Sequence, residues 1–157
     1  MPTHEDFLHH ALAIAEANVR AGRGGPFGAV VVRDGQVVGE GANEVTSRND
    51  PTAHAEIAAI RAACRALDTF RLDGCTIYAS AEPCPMCLAA IYWARLDQVF
   101  YAATRADAER IGFDDQRFYE ELALPAGQRR VPAARLDLPD ALRAFEVWLA
   151  KGDRIPY

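Results

Sequence analysis

The sequence contains no long apolar run, no internal repeat and no low-complexity tract. A membrane-spanning helix needs about 20 consecutive, mostly apolar residues, and the acidic start Met-Pro-Thr-His-Glu-Asp does not resemble a secretory signal. We therefore expect neither a membrane segment nor a signal peptide. No stretch combines low hydrophobicity with high net charge, the composition of disordered chains. With 50% of its 157 residues hydrophobic and 25% charged, the chain is expected to form a single domain over residues 1–157.

Positive charge is also scarce. The formal net charge is −5 at pH 7, and the arginines are scattered singly or in short pairs such as Arg129-Arg130. Nucleic acids are bound largely through Lys and Arg side chains that neutralise phosphates. The charge therefore weighs against a tRNA or DNA substrate. The glycine-rich segment 22–26 lacks the Lys-Ser/Thr of a phosphate-binding loop and precedes a strand pattern, so we expect an ordinary loop there.

Only four cysteines are present, and only Cys84 and Cys87 form a short C-x-x-C pair. Such a pair alone is compatible with a redox motif or with half of a structural zinc site. Cys64 and Cys75 are too far apart in sequence to supply a second short pair, as a four-cysteine site would need. We expect both of them to be buried thiols, because a free cysteine usually behaves as a small core residue.

A His-Ala-Glu motif at residues 54–56 precedes the Pro-Cys-Pro-Met-Cys segment at residues 83–87. One imidazole and two thiolates suit Zn²⁺ and leave the fourth tetrahedral position open, as in catalytic sites. Glu56 lies two residues from His54 and does not share its helix face, so it is better placed beside a water molecule than on the metal. The spacing matches the H-x-E and P-C-x-x-C motifs of zinc-dependent nucleobase deaminases. Because thiolates persist best in a reducing compartment, we expect a cytoplasmic location.

The remaining pattern predicts alternating helices and strands. Thr3 as N-cap and apolar residues at helical spacing predict a first helix up to Gly22, and the turn Asp34-Gly35 between two apolar runs predicts a β-hairpin. Thr52 is predicted to cap the next helix. Further helices are predicted at 53–67, 85–95, 106–110 and after Pro139, and further strands at 76–80, 97–101 and 131–136. This order is typical of a three-layer α/β/α sandwich with a mixed five-stranded sheet.

Residues 50–57 and 82–87 resemble the cytidine-deaminase superfamily, in the branch that holds guanine deaminases and tRNA adenosine deaminases. Segments 24–30, 90–95 and 112–115 and the last tyrosine look like the short guanine deaminases in particular. The tRNA enzymes typically end in a basic helix, whereas this chain ends in an acidic-to-neutral helix and a short aromatic tail. The resemblance implies a cytidine-deaminase-like fold and zinc-dependent hydrolysis of guanine to xanthine and ammonia.

The resemblance also implies roles for individual residues. It gives each chain one Zn²⁺ with three protein ligands, His54, Cys84 and Cys87, and makes Glu56 the catalytic proton shuttle. It places five residues against the base: Asn43, Asp115, Phe27, Ala55 and Tyr157. An amide both donates and accepts and a carboxylate accepts from ring N–H groups, so Asn43 and Asp115 suit a purine edge. Taken alone, Asn43 is also typical of a turn, Asp115 of a loop and Phe27 of a packed core.

Three functions remain open on the sequence. They are a deaminase of a free purine base, a deaminase of tRNA or of a nucleoside such as guanosine, and a non-catalytic zinc-binding or scaffold protein. Glu56 favours an enzyme, because a protein that only binds zinc does not need it. The expected partners are a purine base and a second copy of the chain, since similar enzymes form homodimers in which an exchanged C-terminal segment brings its last tyrosine into the partner's site. No nucleic acid and no membrane is expected.

Overall fold

The computed structural model describes residues 1–157, which divide into two units, residues 1–118 and residues 119–157. The helices and strands follow in the order α1 (His4–Arg20), β1 (Gly28–Arg33), β2 (Gln36–Ala42), α2 (Val45–Arg48), α3 (Ala55–Ala66), β3 (Cys75–Ala81), α4 (Pro85–Trp93), β4 (Gln98–Ala103), α5 (Arg105–Arg110), α6 (Gln116–Ala123) and α7 (Arg143–Ala150). A short 3₁₀ helix, Ala126–Gln128, precedes α7. None of the helices is both long and apolar enough to cross a membrane.

The first unit is built on a mixed four-stranded sheet with the strand order β2-β1-β3-β4. β1 pairs antiparallel with β2 and with β3, and β3 pairs parallel with β4. The hairpin between β1 and β2 is confirmed: Asp34 and Gly35 at its turn have φ values of 51° and 74°, which suit a tight hairpin turn.

The prediction of a fifth strand at residues 131–136 is wrong. These residues form no strand, and no other strand lies in residues 119–157. A strand is stable only when a neighbour satisfies its backbone groups. Pro132 also removes one of the N–H groups that a ladder would use. The apolar spacing of the segment therefore did not suffice for a strand.

Both faces of the sheet are covered by helices, which confirms the three-layer arrangement. Alternate residues of β1 point to opposite faces, as the pleat of a strand requires. Ala29 and Val31 belong to the buried cluster that includes residues of α3 and α4. Val30 and Val32 belong to the cluster that includes Phe7 of α1. Residues 28–32 are consequently all buried, as expected for a strand covered on both sides.

Close packing of α3 on β2 holds the first turn of this helix against the sheet. A Cβ atom at Gly41 would collide with the backbone oxygen of Ala55, and one at Gly39 would collide with that of Ala59. Only glycine permits this approach. α3 begins at Ala55 with His54 in the N-cap position, so the prediction of Thr52 as the cap is wrong. Thr52 instead donates its backbone N–H and its hydroxyl to Asp50 Oδ1.

Thr3 caps α1 as predicted, through a reciprocal pair of hydrogen bonds with Asp6. Cys75 is buried as predicted, whereas Cys64 is only partly buried against the core, and both are free thiols. The short helix α2 lies in a segment that the sequence pattern predicts as loop. Its four residues are too few to show helical periodicity.

The second unit, residues 119–157, contains no buried residue. α7 begins at Arg143, a few residues after the predicted start. Its apolar side chains are exposed, among them Phe145 at 66%, Leu149 at 66% and Trp148 at 41%.

Candidate active site

Two helix starts bring the predicted metal ligands together. His54 directly precedes α3, Cys84 directly precedes α4, and Cys87 lies in the first turn of α4. Pro85 fits the first position of α4 because no backbone N–H is needed there. His54 Nδ1 lies 3.6 Å from Cys84 Sγ and 3.4 Å from Cys87 Sγ. The three ligand atoms are all within 4.8 Å of one another.

The chemistry of this donor set fits one zinc ion per chain. One imidazole nitrogen and two sulfurs are the atoms that Zn²⁺ prefers. Structural zinc sites are closed by four protein ligands, whereas catalytic sites use three and keep one position for water or substrate. The group of three therefore has the composition of a catalytic site.

The local environment favours the thiolate form of Cys84, which is the form that binds metals. The hydrogen bond from the Cys87 thiol, assisted by the Cys87 backbone N–H at 3.5 Å, lowers the pKa of Cys84 to about 4. Cys87 is the donor in this hydrogen bond to Cys84, and the bond raises the pKa of the Cys87 thiol. The hydrogen bond with Cys84 raises the pKa of His54. The backbone N–H of Cys87 at the start of α4 thus supports the Cys84 thiolate.

Glu56 lies in the first turn of α3 and is buried, with 8% of its surface exposed. Burial raises the pKa of Glu56 above its usual value, and the negative charge of Cys84 raises it further. A carboxyl group with a raised pKa can hold a proton closer to neutral pH than an exposed one. This is the property required of a group that accepts a proton and then returns it.

A cavity of about 690 Å³ opens beside these residues and is lined entirely by residues between 22 and 118. His54, Glu56 and Cys84 form part of its wall, together with Asn43 and Asp115. The volume is within the range that binds small molecules. A second cavity, of about 430 Å³, is lined by neither histidine nor cysteine. Metal-binding and proton-transferring groups thus meet in the larger cavity.

Asn43 is held firmly in the wall of this cavity. It is 6% exposed, and its Oδ1 accepts from the backbone N–H groups of Gly25 at 3.2 Å and Val45 at 3.3 Å. Its own backbone N–H donates to the Phe27 oxygen at 3.1 Å. Because the amide oxygen receives two backbone donors, the amide nitrogen is the group that Asn43 can offer to a ligand.

Aromatic and acidic side chains form a further part of the wall. The rings of Phe27 and Phe113 meet edge to face with their centroids 4.8 Å apart, and both line the cavity. Phe27 also packs against the core, so a position in the core and a position in the cavity wall are compatible for this residue. Asp115 is partly buried, and this burial raises its pKa. The wall therefore combines apolar ring faces with a carboxylate that can accept hydrogen bonds.

Comparison with known proteins agrees with this geometry. The family described as the cytidine and deoxycytidylate deaminase zinc-binding region matches residues 1–103, more than half of the chain. The chain belongs to this deaminase family. The match covers the His-Ala-Glu motif and both cysteines of the Pro-Cys-Pro-Met-Cys segment.

Individual members of the deaminase family are similar over different lengths. The guanine deaminase of Bacillus subtilis is 53% identical over 145 residues, which are 92% of this chain and 93% of that protein. A crystal structure of guanine deaminase from Bacillus subtilis has a TM-score of 0.97, with 50% identity and 99% of each chain covered. A tRNA-specific adenosine deaminase of Agrobacterium fabrum is 48% identical over 93 residues, 59% of this chain and 61% of that protein.

Two residues predicted to contact the base do not line the cavity with the others. Ala55 is 1% exposed, and its side chain belongs to the core cluster beneath α3. The methyl side chain of Ala55 is therefore not available to a ligand, and only the polar backbone groups of this residue could contact one. Tyr157 is 73% exposed and belongs to the second unit of this deaminase.

The sequence reasoning assigned no role to several residues at the cavity, among them Phe113, Glu82 and Asn18. Phe113 and Glu82 line the cavity, and Glu82 forms an ion pair with Arg105 at 3.0 Å. Asn18 does not line the cavity, but its side chain donates a hydrogen bond to the backbone oxygen of Asn43, which does. A signal for Asn18 was present in the sequence, because it is a polar residue that continues the spacing of the apolar residues 7, 11 and 15 on α1.

Proposed function

We propose that this deaminase hydrolyses guanine to xanthine and ammonia. The observation that supports guanine over a tRNA substrate is the extent of the similarity. The match to the Bacillus guanine deaminase covers 145 residues and so extends into the second unit, whereas the match to the tRNA-specific adenosine deaminase covers 93. The net charge of −5 also disfavours a polyanionic substrate.

Asn43 and Asp115 recognise the base in this proposal. The Asn43 amide nitrogen donates to an acceptor of guanine, because its oxygen is engaged by the Gly25 and Val45 backbone. The Asp115 carboxylate accepts from a ring N–H group of the base. Phe27 offers its ring as an apolar surface for the planar base. The backbone at Ala55 borders the base at the start of α3.

The reaction exchanges a carbon–nitrogen bond for a carbon–oxygen bond at C2 of guanine. His54, Cys84 and Cys87 hold the zinc ion, which when bound supplies the Lewis acidity that lowers the pKa of water towards neutrality. Glu56 takes a proton from the attacking water and passes it to the ring nitrogen. It then takes the second proton from the oxygen now bonded to C2 and delivers it to the amino group, which leaves as ammonia while the C2–oxygen bond becomes a carbonyl. Glu56 thus acts first as base and then as acid.

A substrate panel tests the function. We expect ammonia release from guanine with a kcat/KM at least about 10²-fold above that for guanosine, adenine, cytosine, cytidine or a tRNA anticodon stem, because a site that pairs its polar groups with one base leaves them unpaired with another. The measurement is steady-state ammonia release at a fixed zinc content. A higher kcat/KM for guanosine or for the tRNA stem would contradict the proposal.

We further infer that the enzyme is a cytoplasmic homodimer in which residues 1–157 form a single deaminase domain with its C-terminal segment exchanged between subunits. A cluster of large exposed apolar side chains on one helix is typical of an interaction site. Phe145, Trp148 and Leu149 provide such a cluster on α7. All four cysteines are free, which suits a reducing compartment.

Deletion of residues 155–157 tests the role of Tyr157. We expect kcat/KM for guanine to fall by roughly 10-fold, or about 1.4 kcal/mol of transition-state stabilisation, because Tyr157 closes a site. Zinc content and Tm should hardly change, since an exposed tail contributes little to the core. Tyr157→Phe, which keeps the ring, serves as the matched control. A fully active deletion variant would remove Tyr157 from the site.

Mixed dimers distinguish exchange from closure within one chain. The tail-deleted chain lacks Tyr157 but keeps Glu56, whereas a Glu56→Ala chain keeps the tail but lacks the proton shuttle. If the tail enters the partner's site, a dimer of these two chains contains one complete site. We expect kcat/KM to rise above that of either protein alone when the two are mixed and allowed to exchange subunits. If mixing did not raise the activity, the tail would close the site of its own chain.

A further inference from the structure

Asn18 is a fully buried polar residue on the core-facing side of α1. The other buried residues of this helix are Phe7, Ala11 and Ala15, and Asn18 continues the same face. None of its surface is exposed to solvent. A buried amide at a core position costs free energy unless it is hydrogen-bonded. The partners of Asn18 therefore indicate what the residue does.

Both amide hydrogens of Asn18 go to the cavity wall. Its Nδ2 donates to the backbone oxygen of Gly25 at 2.9 Å and to that of Asn43 at 2.7 Å. Its Oδ1, in contrast, is buried without a hydrogen-bond partner. An apolar side chain would avoid this unpaired oxygen but could donate to neither carbonyl. Asn18 thus makes two hydrogen bonds to the cavity wall but leaves one buried oxygen unpaired, so the protein is less stable at this position than it could be.

The two segments that Asn18 joins are already linked to each other. Gly25 N–H donates to Asn43 Oδ1, and Gly24 lies so close to Asn43 that a Cβ atom there would collide with the Asn43 backbone oxygen. Asn18, Gly25 and Asn43 thus form a closed ring of hydrogen bonds. Within this ring, the Gly25 N–H fixes the orientation of the Asn43 amide.

We propose that Asn18 is a positioning residue for the base-binding wall of the cavity. It holds the main chain of Gly25 and Asn43 in register, so that the Asn43 amide nitrogen stays directed to the ligand. The identity of that ligand rests on the proposed function. The positioning is a property of the fold and is testable without a substrate.

The test replaces Asn18 by leucine, which has the same number of side-chain heavy atoms and also branches at Cγ but has no donor. We expect KM for guanine to rise roughly 10-fold while kcat changes less than about 3-fold, because binding rather than proton transfer is impaired. Zinc content should not change. Phe7→Leu is the matched control: it lies on the same face of α1 but packs on Tyr78, so it should lower Tm and leave KM unchanged. An unchanged KM in Asn18→Leu would overturn the proposal.

A double-mutant cycle separates positioning from general destabilisation. In an Asn43→Ala background the amide is gone, so Asn18→Leu should raise KM by less than about 2-fold further. A full multiplicative effect in that background would show that Asn18 acts on the fold alone. Asn18→Ser, a smaller change to the core, is measured in parallel and should raise KM in the same direction. An unchanged KM in Asn18→Ser would count against the proposal even if the leucine variant failed to fold.

Amide hydrogen exchange provides a readout that needs no substrate. The N–H groups of Gly25 and Val45 both donate to Asn43 Oδ1. Without Asn18 they should exchange faster, while the amides of β1 and β3 keep their protection. This result would stand even if another base replaced guanine as the substrate. Unchanged exchange at both positions would overturn the positioning role.

Discussion

Replacing Glu56 by alanine is expected to lower kcat for guanine by roughly 10²–10⁴-fold, the range for loss of a general acid–base group. Glu56 is the buried carboxylate in the first turn of α3, and it lines the same cavity as His54 and Cys84. Burial raises its pKa, so the carboxyl group can both accept and return a proton. The measurement is steady-state ammonia release, together with zinc content and Tm.

Two further variants make the Glu56 prediction specific. Glu56→Gln keeps the size of the side chain but cannot transfer a proton, so it should lose nearly as much activity as the alanine variant. Glu5→Ala removes a carboxylate from the equivalent first turn of α1, where it lies away from the cavity, and should leave kcat unchanged. Both Glu56 variants should keep one zinc ion per chain. Loss of zinc from Glu56→Ala would make this residue a ligand instead of a proton shuttle.

The metal site was predictable because short-range sequence determines it. One residue separates His54 from Glu56, and two residues separate Cys84 from Cys87. Each of these motifs lies at the start of a helix. Local chain geometry therefore places each pair. What the motifs alone could not supply is the 3.4 Å approach of His54 to Cys87. That approach depends on the packing of α3 and α4 on one face of the sheet.

The part of the cavity wall that we propose to bind the base was less accessible to sequence reasoning. Asn43 and Asp115 are polar residues in loops, and loops hold many such residues for reasons of turn formation alone. Only the resemblance to a family singled them out. Asn18 escaped for a different reason: periodicity marks a helix face by its apolar residues, so a polar residue on that face is passed over. Its burial is decided by the loop and hairpin that pack on α1.

The errors at strand and helix boundaries have similar causes. The segment 131–136 has strand-like residues, but no pairing partner lies in its own unit. Thr52 is a residue type that commonly caps helices, yet Asp50 engages its hydroxyl in a local turn. His54 occupies the N-cap position without a side-chain hydrogen bond to the helix, and its position at the helix start serves the metal site. In the first place a local preference lacked the partner strand that it needs, and in the second place a local turn took up the residue expected to cap the helix.

Removing one zinc-binding thiolate should have the second large effect. We expect Cys87→Ala to lose most of its zinc and all measurable activity, and to unfold more readily by roughly 3 kcal/mol, the stabilisation given by a ligand present at about 100 to 1,000 times its Kd. Cys87 is buried and lies within 4.8 Å of the other ligand atoms. Metal binding is coupled to folding because the ligands converge only in the folded chain. Zinc content and denaturant unfolding measure the two effects.

Chelation and a matched thiol variant distinguish loss of metal from loss of core packing. A chelator should destabilise the wild-type protein by somewhat less than Cys87→Ala does, because the variant also loses the packing of a buried thiol. The chelator should not destabilise the variant further, because the variant has already lost its zinc. Cys75→Ala removes a thiol that is equally buried but lies outside the ligand group, so it should keep zinc and activity and lose only packing energy. Cys84→Ala should behave as Cys87→Ala does. A Cys84→Ala enzyme that stayed zinc-replete and active would contradict the ligand set, because the remaining imidazole and thiolate would then suffice to hold the ion.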